Sequence, residues 1–248
     1  MIDKAFLPPM CDPLTGVCLV PDVAPGSDVR PAVGSKPKVH YIGDPMCSWC
    51  WGISPALNEL HSYCVAHDVA FEITLGGLRA GGGDEWNSSF KQFLRQEWSD
   101  IHEVTGQPFG FGLLELPYFD YDTEPACRAV VAVRTLVEET SGAKEAVLEF
   151  FSAVQRKFYV ETGDPKEVEF YRSVCHQLGI NFDAFADVFA SDGAMLETVD
   201  DFARSRAMGV RAFPTILVEY DGGLTEISRG SVTAEQLIRK LKLFVGER

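Results

Sequence analysis

Between Lys38 and Gly77 the chain spells strand, helix, strand, and that order leaves few folds open. KVHYIGD (38–44) reads as a short strand. MCSWCWG then opens a helix that runs to about His67, with Leu57, Leu60 and Cys64 at helical spacing. Pro55 is expected to kink it. VAFEITLGG (69–77) alternates as a strand does and stops at a glycine pair. Two strands joined through a helix lie parallel, and the crossover is right-handed. The chain is therefore of the α/β class at this point.

The flanks differ in character. Residues 1–37 hold seven prolines, which fix φ and remove backbone donors, so an extended Pro-rich N-terminal arm is expected there. From 84 to 208 the pattern is helical: a helix starting at Thr123-Glu124-Pro125 with Ala126, Val130, Val133 and Val137 on its apolar face, then helices near 143–158, 165–179, 182–190 and 193–208. After Phe213-Pro214, TILVEY (215–220) and LTEISRG (224–230) read as a hairpin across Asp221-Gly222-Gly223. An amphipathic helix, 233–245, follows, with Leu237, Leu241 and Phe244 on one face. The expected division is an arm (1–37), an α/β domain in two pieces (38–83 and 209–248) and an all-helical insertion (84–208). GGLRAGGG (76–83) lacks the Gly-Lys-Ser/Thr ending of a phosphate loop and reads as a hinge between them. The aromatic run from Trp86 to Tyr121 reads mostly as core.

Charge removes whole classes of partner. With 36 acidic and 22 basic residues the formal net charge is -14, so neither nucleic acid nor an anionic membrane surface is an expected partner. No run approaches the roughly 18 apolar residues of a membrane span. The first residues lack a basic start and apolar core, so a cytoplasmic protein is expected, or a periplasmic or secreted one if a leader preceded this sequence.

Cys47-Ser48-Trp49-Cys50 carries the chemistry. Residues three apart face each other on a helix, so the two sulfurs can close a small disulfide. The sulfur at the helix N-terminus sits among unpaired N–H groups, a setting that lowers cysteine pKa to roughly 3.5–7.5 from about 8.5. Thiolate is the attacking species in disulfide exchange, which makes Cys47 the candidate nucleophile and Cys50 the resolving thiol. Half a zinc site, completed by Cys11 and Cys18, and a purely structural disulfide are the competing readings. Pro13 and Gly16 favour a turn that brings Cys11 and Cys18 together, either as a second dithiol that exchanges with Cys47–Cys50 or as a local disulfide or two free thiols on the arm. Cys64, Cys127 and Cys175 lie on apolar helix faces and read as core. No metal and no cofactor is expected, because the electrons travel on sulfur.

Downstream, GVRAFPT (209–215) with its following hairpin and helix resembles the cis-proline loop of the thioredoxin superfamily. The long helical insert narrows the resemblance to the DsbA family, and DPMCSWCWG (44–52), EPACRAVVA (124–132) and GVRAFPT look like its FrnE-like branch, whose members are predicted protein disulfide isomerases or oxidoreductases. The resemblance spans about 38–245. It implies a thioredoxin fold with an all-helical insertion, a cis bond before Pro214, and a substrate surface formed by Trp49, Phe213 and Pro214. It implies protein or peptide thiols and disulfides as partners, with glutathione or another small thiol as a further one. One position departs from the pattern: six residues before the first cysteine, where many relatives keep a buried acid, this chain has Tyr41, so the proton acceptor for Cys50 is unassigned. Nearby His40 and Asp44 read as strand-end or capping residues. The rival functions are a glutathione-dependent kappa-class transferase or 2-hydroxychromene-2-carboxylate isomerase, which share the core but use serine, and a client-binding chaperone in which the cysteines are incidental.

Overall fold

A computed structural model describes residues 11–12, 15–19, 36–139 and 145–246. The expected arm is described only at 11–12, 15–19 and 36–37, and the rest of that expectation lies outside the described residues. Where it is described, the arm is a small hairpin, β1 (Cys11–Asp12) and β2 (Val17–Leu19). Then come β3 (Lys38–Gly43), α1 (Ser48–Gly52), α2 (Ser54–Ala66) and β4 (Ala70–Leu75). β3 and β4 pair in parallel, Lys38 against Ala70 through Gly43 against Leu75, as the strand–helix–strand order requires. The expected single helix is two. Ile53 ends α1 and begins α2, and Pro55 sits in the first turn of α2, where its missing N–H leaves no bond unmade.

The insertion is helical: α3 (Ser88–Thr105), α4 (Gly112–Glu115), α5 (Glu124–Glu139), α6 (Glu145–Glu161), a 3-10 turn at Val168–Tyr171 running into α7 (Arg172–Gln177), α8 (Phe182–Phe189) and α9 (Asp192–Ala207). The helix expected at 165–179 is thus mostly a tight turn and a short helix. Asn87, Asn181 and Ser191 accept from backbone N–H groups in the first turns of α3, α8 and α9, satisfying donors that would otherwise be orphaned.

The chain returns through β5 (Ala212–Phe213), β6 (Thr215–Tyr220), β7 (Gly223–Arg229) and α10 (Ala234–Val245). Asp221 (φ 47°) and Gly222 (φ 85°) give the β6–β7 turn the left-handed backbone that tight hairpins need. Thr233 and Gln236 form a reciprocal capping box on α10. The main sheet has the order β4-β3-β6-β7, and a second sheet runs β1-β2-β5. Asp201 of α9, fully buried, accepts from Leu75 N on the outer strand β4 at 3.0 Å and from Arg134 of α5 at 2.9 Å. The insertion is thereby fastened to the sheet edge. Among the described residues no helix is long and apolar enough to cross a membrane.

Candidate active site

β3 ends at Gly43, and the next four residues turn the chain into α1. Asp44 governs that turn. It is fully buried and accepts from Met46 N at 2.8 Å and Leu78 N at 2.7 Å, while its carbonyl takes Cys47 N at 3.0 Å. Burial raises its carboxyl pKa and these donors oppose the rise. Asp44 is therefore a brace for the loop. His40, on the other face of β3, bonds Glu219 at 2.9 Å and is likewise structural.

The turn delivers Cys47 to the cap position of α1 and Cys50 to its interior. Both are free thiols, and both are fully buried. This corrects the expectation of a Cys47 thiol acidified by the helix terminus. Loss of solvation holds its thiol well above the ordinary range, reinforced by Cys50 and Asp44 and opposed by a backbone hydrogen bond at Cys50. The helix terminus does not outweigh burial here. Tyr41, at the position six residues upstream, is also fully buried beside Cys50. Burial first and then the neighbouring Cys50 hold its hydroxyl well above the usual range. A neutral phenol can donate to a Cys50 thiolate but cannot take its proton.

Opposite α1, the Phe213–Pro214 peptide is cis, as the resemblance implied. The Cys47 thiol lies 3.9 Å from the Phe213 carbonyl, donating toward it. Thr215 Oγ1 donates to Ala212 O at 2.7 Å and Gly230 N to Pro214 O at 2.8 Å, so the loop is held on both sides. The Phe213 ring turns inward, 1% exposed, against the backbone of Gly76, so it presents no side chain to a partner. Trp49 is equally buried, near Gly52. Pro214 is buried as well, so none of the three residues expected to face a substrate, Trp49, Phe213 and Pro214, presents an exposed side chain.

The outer edge of β5 is occupied by this chain's own arm. β2 runs antiparallel to β5, with Cys18 opposite Phe213 and Leu19 opposite Ala212. Cys18 is in turn opposite Cys11, and the two form a disulfide. The hairpin is seated by close backbone approaches: Ser231 N donates to Thr15 O at 3.2 Å, and Gly16 (φ 70°) and Gly230 (φ 75°) stand where any Cβ would strike the opposing segment. No spacing rule foretold that this pair would lie on the cis-proline strand.

The site contains one residue that the sequence did not single out. Glu97, on α3, is 4% exposed, and a carboxylate oxygen lies within 4.8 Å of both the Cys11 and Cys18 sulfurs. Its signal was a lone acid on the inward face of an amphipathic helix, between Leu94, Trp98 and Ile101. Cys64, Cys127 and Cys175 are buried as expected, and burial raises each thiol, Cys64 to about 12 and Cys175 to about 11.

No family model matches the chain, and the search of curated proteins found no match. Solved structures do match. The predicted protein disulfide isomerase of Nitrosomonas europaea is 34% identical, with a TM-score of 0.75 over 86% of this chain and 100% of that one. The cytosolic disulfide reductase DsbM of Pseudomonas aeruginosa is 24% identical, with a TM-score of 0.65 over 83% and 98%, and has also been solved with GSH. A 2-hydroxychromene-2-carboxylate isomerase shares the fold at 13% identity and a TM-score of 0.51, over 83% and 93%. A cis-proline loop against a Cys-x-x-Cys helix, a helical insertion between the halves of the fold, and a third of the sequence shared over the whole of a relative agree on one assignment: the chain belongs to the DsbA-like proteins of the thioredoxin superfamily.

Proposed function

We propose that the protein is a thiol–disulfide oxidoreductase or isomerase acting on protein disulfides, with Cys47 as nucleophile and Cys50 as resolving thiol. The observation that carries this reading is the contact of the Cys47 sulfur with the carbonyl before the cis proline. Cys47 thiolate attacks a client disulfide and the client's other sulfur leaves as thiolate. Cys50 then attacks the Cys47 sulfur, frees the reduced client and leaves a Cys47–Cys50 disulfide. The β5 backbone before Pro214 is the client's docking edge once the arm strand β2, which pairs with it here, is displaced, and Trp49 supports α1 from behind. Cys11 and Cys18 form a second redox pair. A glutathione-class thiol is the candidate small partner, in keeping with the Pseudomonas reductase solved with GSH, and that protein's cytosolic setting fits the cytoplasm expected for this one.

Insulin reduction with dithiothreitol tests the reading. Cys47→Ser should abolish turnover, and Cys50→Ser should accumulate mixed disulfides. Full activity in Cys47→Ser would refute the assignment. Saturable glutathione binding, with turnover that survives Cys50→Ser, would favour the isomerase or transferase chemistry of the serine-using relatives.

A further inference from the structure

The carboxyl of Glu97 is buried with little compensation. Among the described residues neither of its oxygens has a hydrogen-bond partner, and the Trp49 indole N–H faces it without completing a bond. A buried group left unpaired costs stability, roughly 1–3 kcal/mol in general, so its retention calls for an explanation. What it does approach is sulfur: the Cys11–Cys18 pair lies within 4.8 Å. Cys18 stands opposite Phe213, and the Phe213 carbonyl receives the Cys47 thiol. One line of contacts therefore joins nucleophile, arm disulfide and carboxyl.

We propose that Glu97 is the proton-transfer group of an intramolecular exchange between Cys47 and the Cys11–Cys18 disulfide, an exchange that rests on the reading of Cys47 as nucleophile. Cys47 thiolate attacks Cys18, the arm sulfur in register with Phe213. The Cys11–Cys18 bond breaks as the Cys47–Cys18 bond forms, and the electron pair departs on Cys11. Cys18 is fully buried and Cys11 half-buried, a poor place for an anion, and the Glu97 carboxylic acid gives Cys11 its proton. Cys50 then attacks Cys47, closing the Cys47–Cys50 disulfide and releasing Cys18. Two protons leave Cys47 and Cys50 and two arrive on Cys11 and Cys18, with Glu97 regenerated. The arm is reduced by two electrons, the Cys-x-x-Cys pair is oxidised by two, and no outside reagent is consumed. In the reverse direction the Glu97 carboxylate takes the proton from Cys11.

The surroundings suit the task. Burial is the largest influence on Glu97 and raises its pKa to about 7; Asp100 on the same helix and Asp12 on the arm push the same way, while Trp49 and Arg79 pull against it. An acid poised near neutrality can both give and receive a proton.

The exchange is read in a Cys50→Ser chain, where it stops at Cys47–Cys18 and leaves Cys11 free. Iodoacetamide locks that state, and non-reducing peptide mapping counts it against time from pH 5.5 to 8.5. The expected rate rises with pH and then bends over near 7 as Glu97 loses its proton. Glu97→Gln should slow it by about tenfold to a hundredfold, within the usual worth of a general acid, and remove the bend. Glu97→Asp should keep part of the rate and the bend. An unchanged rate and profile in Glu97→Gln would overturn the proposal. Should Glu97→Gln fail to fold, the profile of the Cys50→Ser chain decides alone, and a monotonic rise overturns it. If no Cys47–Cys18 peptide forms while Cys47 still couples to added oxidised glutathione, the relay fails and the proposed function stands. If Cys47 couples to neither, both fail.

Discussion

Gly76→Ala isolates the packing that aims the cis-proline loop. Gly76 has an ordinary backbone conformation, so alanine is strained there only by what its Cβ would meet. That Cβ would stand inside the Phe213 ring, 2.5 Å from Cε2 and nearer still to Cζ and Cε1. Carbon pairs rest at about 3.5–4.0 Å, so the ring must withdraw by ~1 Å or more. It is 1% exposed and has nowhere open to go. Overpacking of this kind costs up to ~3 kcal/mol, and the lower unfolded-state entropy of alanine returns ~0.5–1, leaving a net loss of about 2 kcal/mol. For a chain of this size that is ~4–8 °C in Tm. Urea denaturation of a double-mutant cycle checks the cause. Phe213→Ala alone should cost ~3–5 kcal/mol, and adding Ala at 76 to it should cost less than ~0.5. The coupling is then about 2 kcal/mol, and additive losses would refute the steric account. Because the Phe213 carbonyl receives the Cys47 thiol, Gly76→Ala should also slow insulin reduction.

Three further outcomes are expected. Asp201→Ala strands the buried Leu75 N–H while Arg134 keeps Glu197 and the Ile73 carbonyl, and should cost ~2 kcal/mol, or ~4–8 °C in Tm by calorimetry; a loss under ~0.5 kcal/mol would mean the insertion is not fastened there. Glu97, raised when folded to about 7 from an ordinary value near 4.5, binds its proton more tightly in the folded chain. Its share of stability is complete below about pH 4.5 and lost as pH rises through 7; wild-type protein should lose ~2–3 kcal/mol more than Glu97→Gln across that window, and parallel curves would contradict this. Cys11→Ser with Cys18→Ser removes a short cross-link worth about 2 kcal/mol, roughly 30-fold in the population with the hairpin released, so Cys47 alkylation at pH 7 should accelerate comparably. An unchanged alkylation rate would show that the hairpin does not shield the thiol.

Much of this was legible because it is local. The parallel β3–β4 pair follows from strand, helix and strand in forty residues, and α5 begins at Glu124, at the expected Thr123-Glu124-Pro125 start. The β6–β7 turn follows from Asp221-Gly222. Cys47's environment was not legible. A helix start is one field, whereas the titration of Cys47 is ruled by burial, which depends on distant segments, Phe213 among them, 166 residues away in sequence. Phe213 reads as a peptide-facing aromatic until Gly76, on a distant loop, is seen to admit its ring. Glu97 hides for the same reason. On a helical wheel it is one acid on an apolar stripe, and only the arm's return to β5 brings sulfur beside it. Pro55 misled through position alone: the residue that should bend a helix instead starts a new one.

The arm also changes how the protein meets other copies of itself. A bare β5 would present unpaired N–H and C=O groups beside the Cys47 thiol, the kind of open sheet border that recruits foreign strands. Among the described residues β2 covers that border and β1, two residues long, stands beyond it, followed in sequence by Pro13, which has no N–H to offer. A template that short cannot propagate a ladder. The Cys11–Cys18 disulfide therefore holds the blunt end of the sheet in place. Prolonged reduction, by loosening it, should be the condition under which solutions of this acidic protein begin to associate.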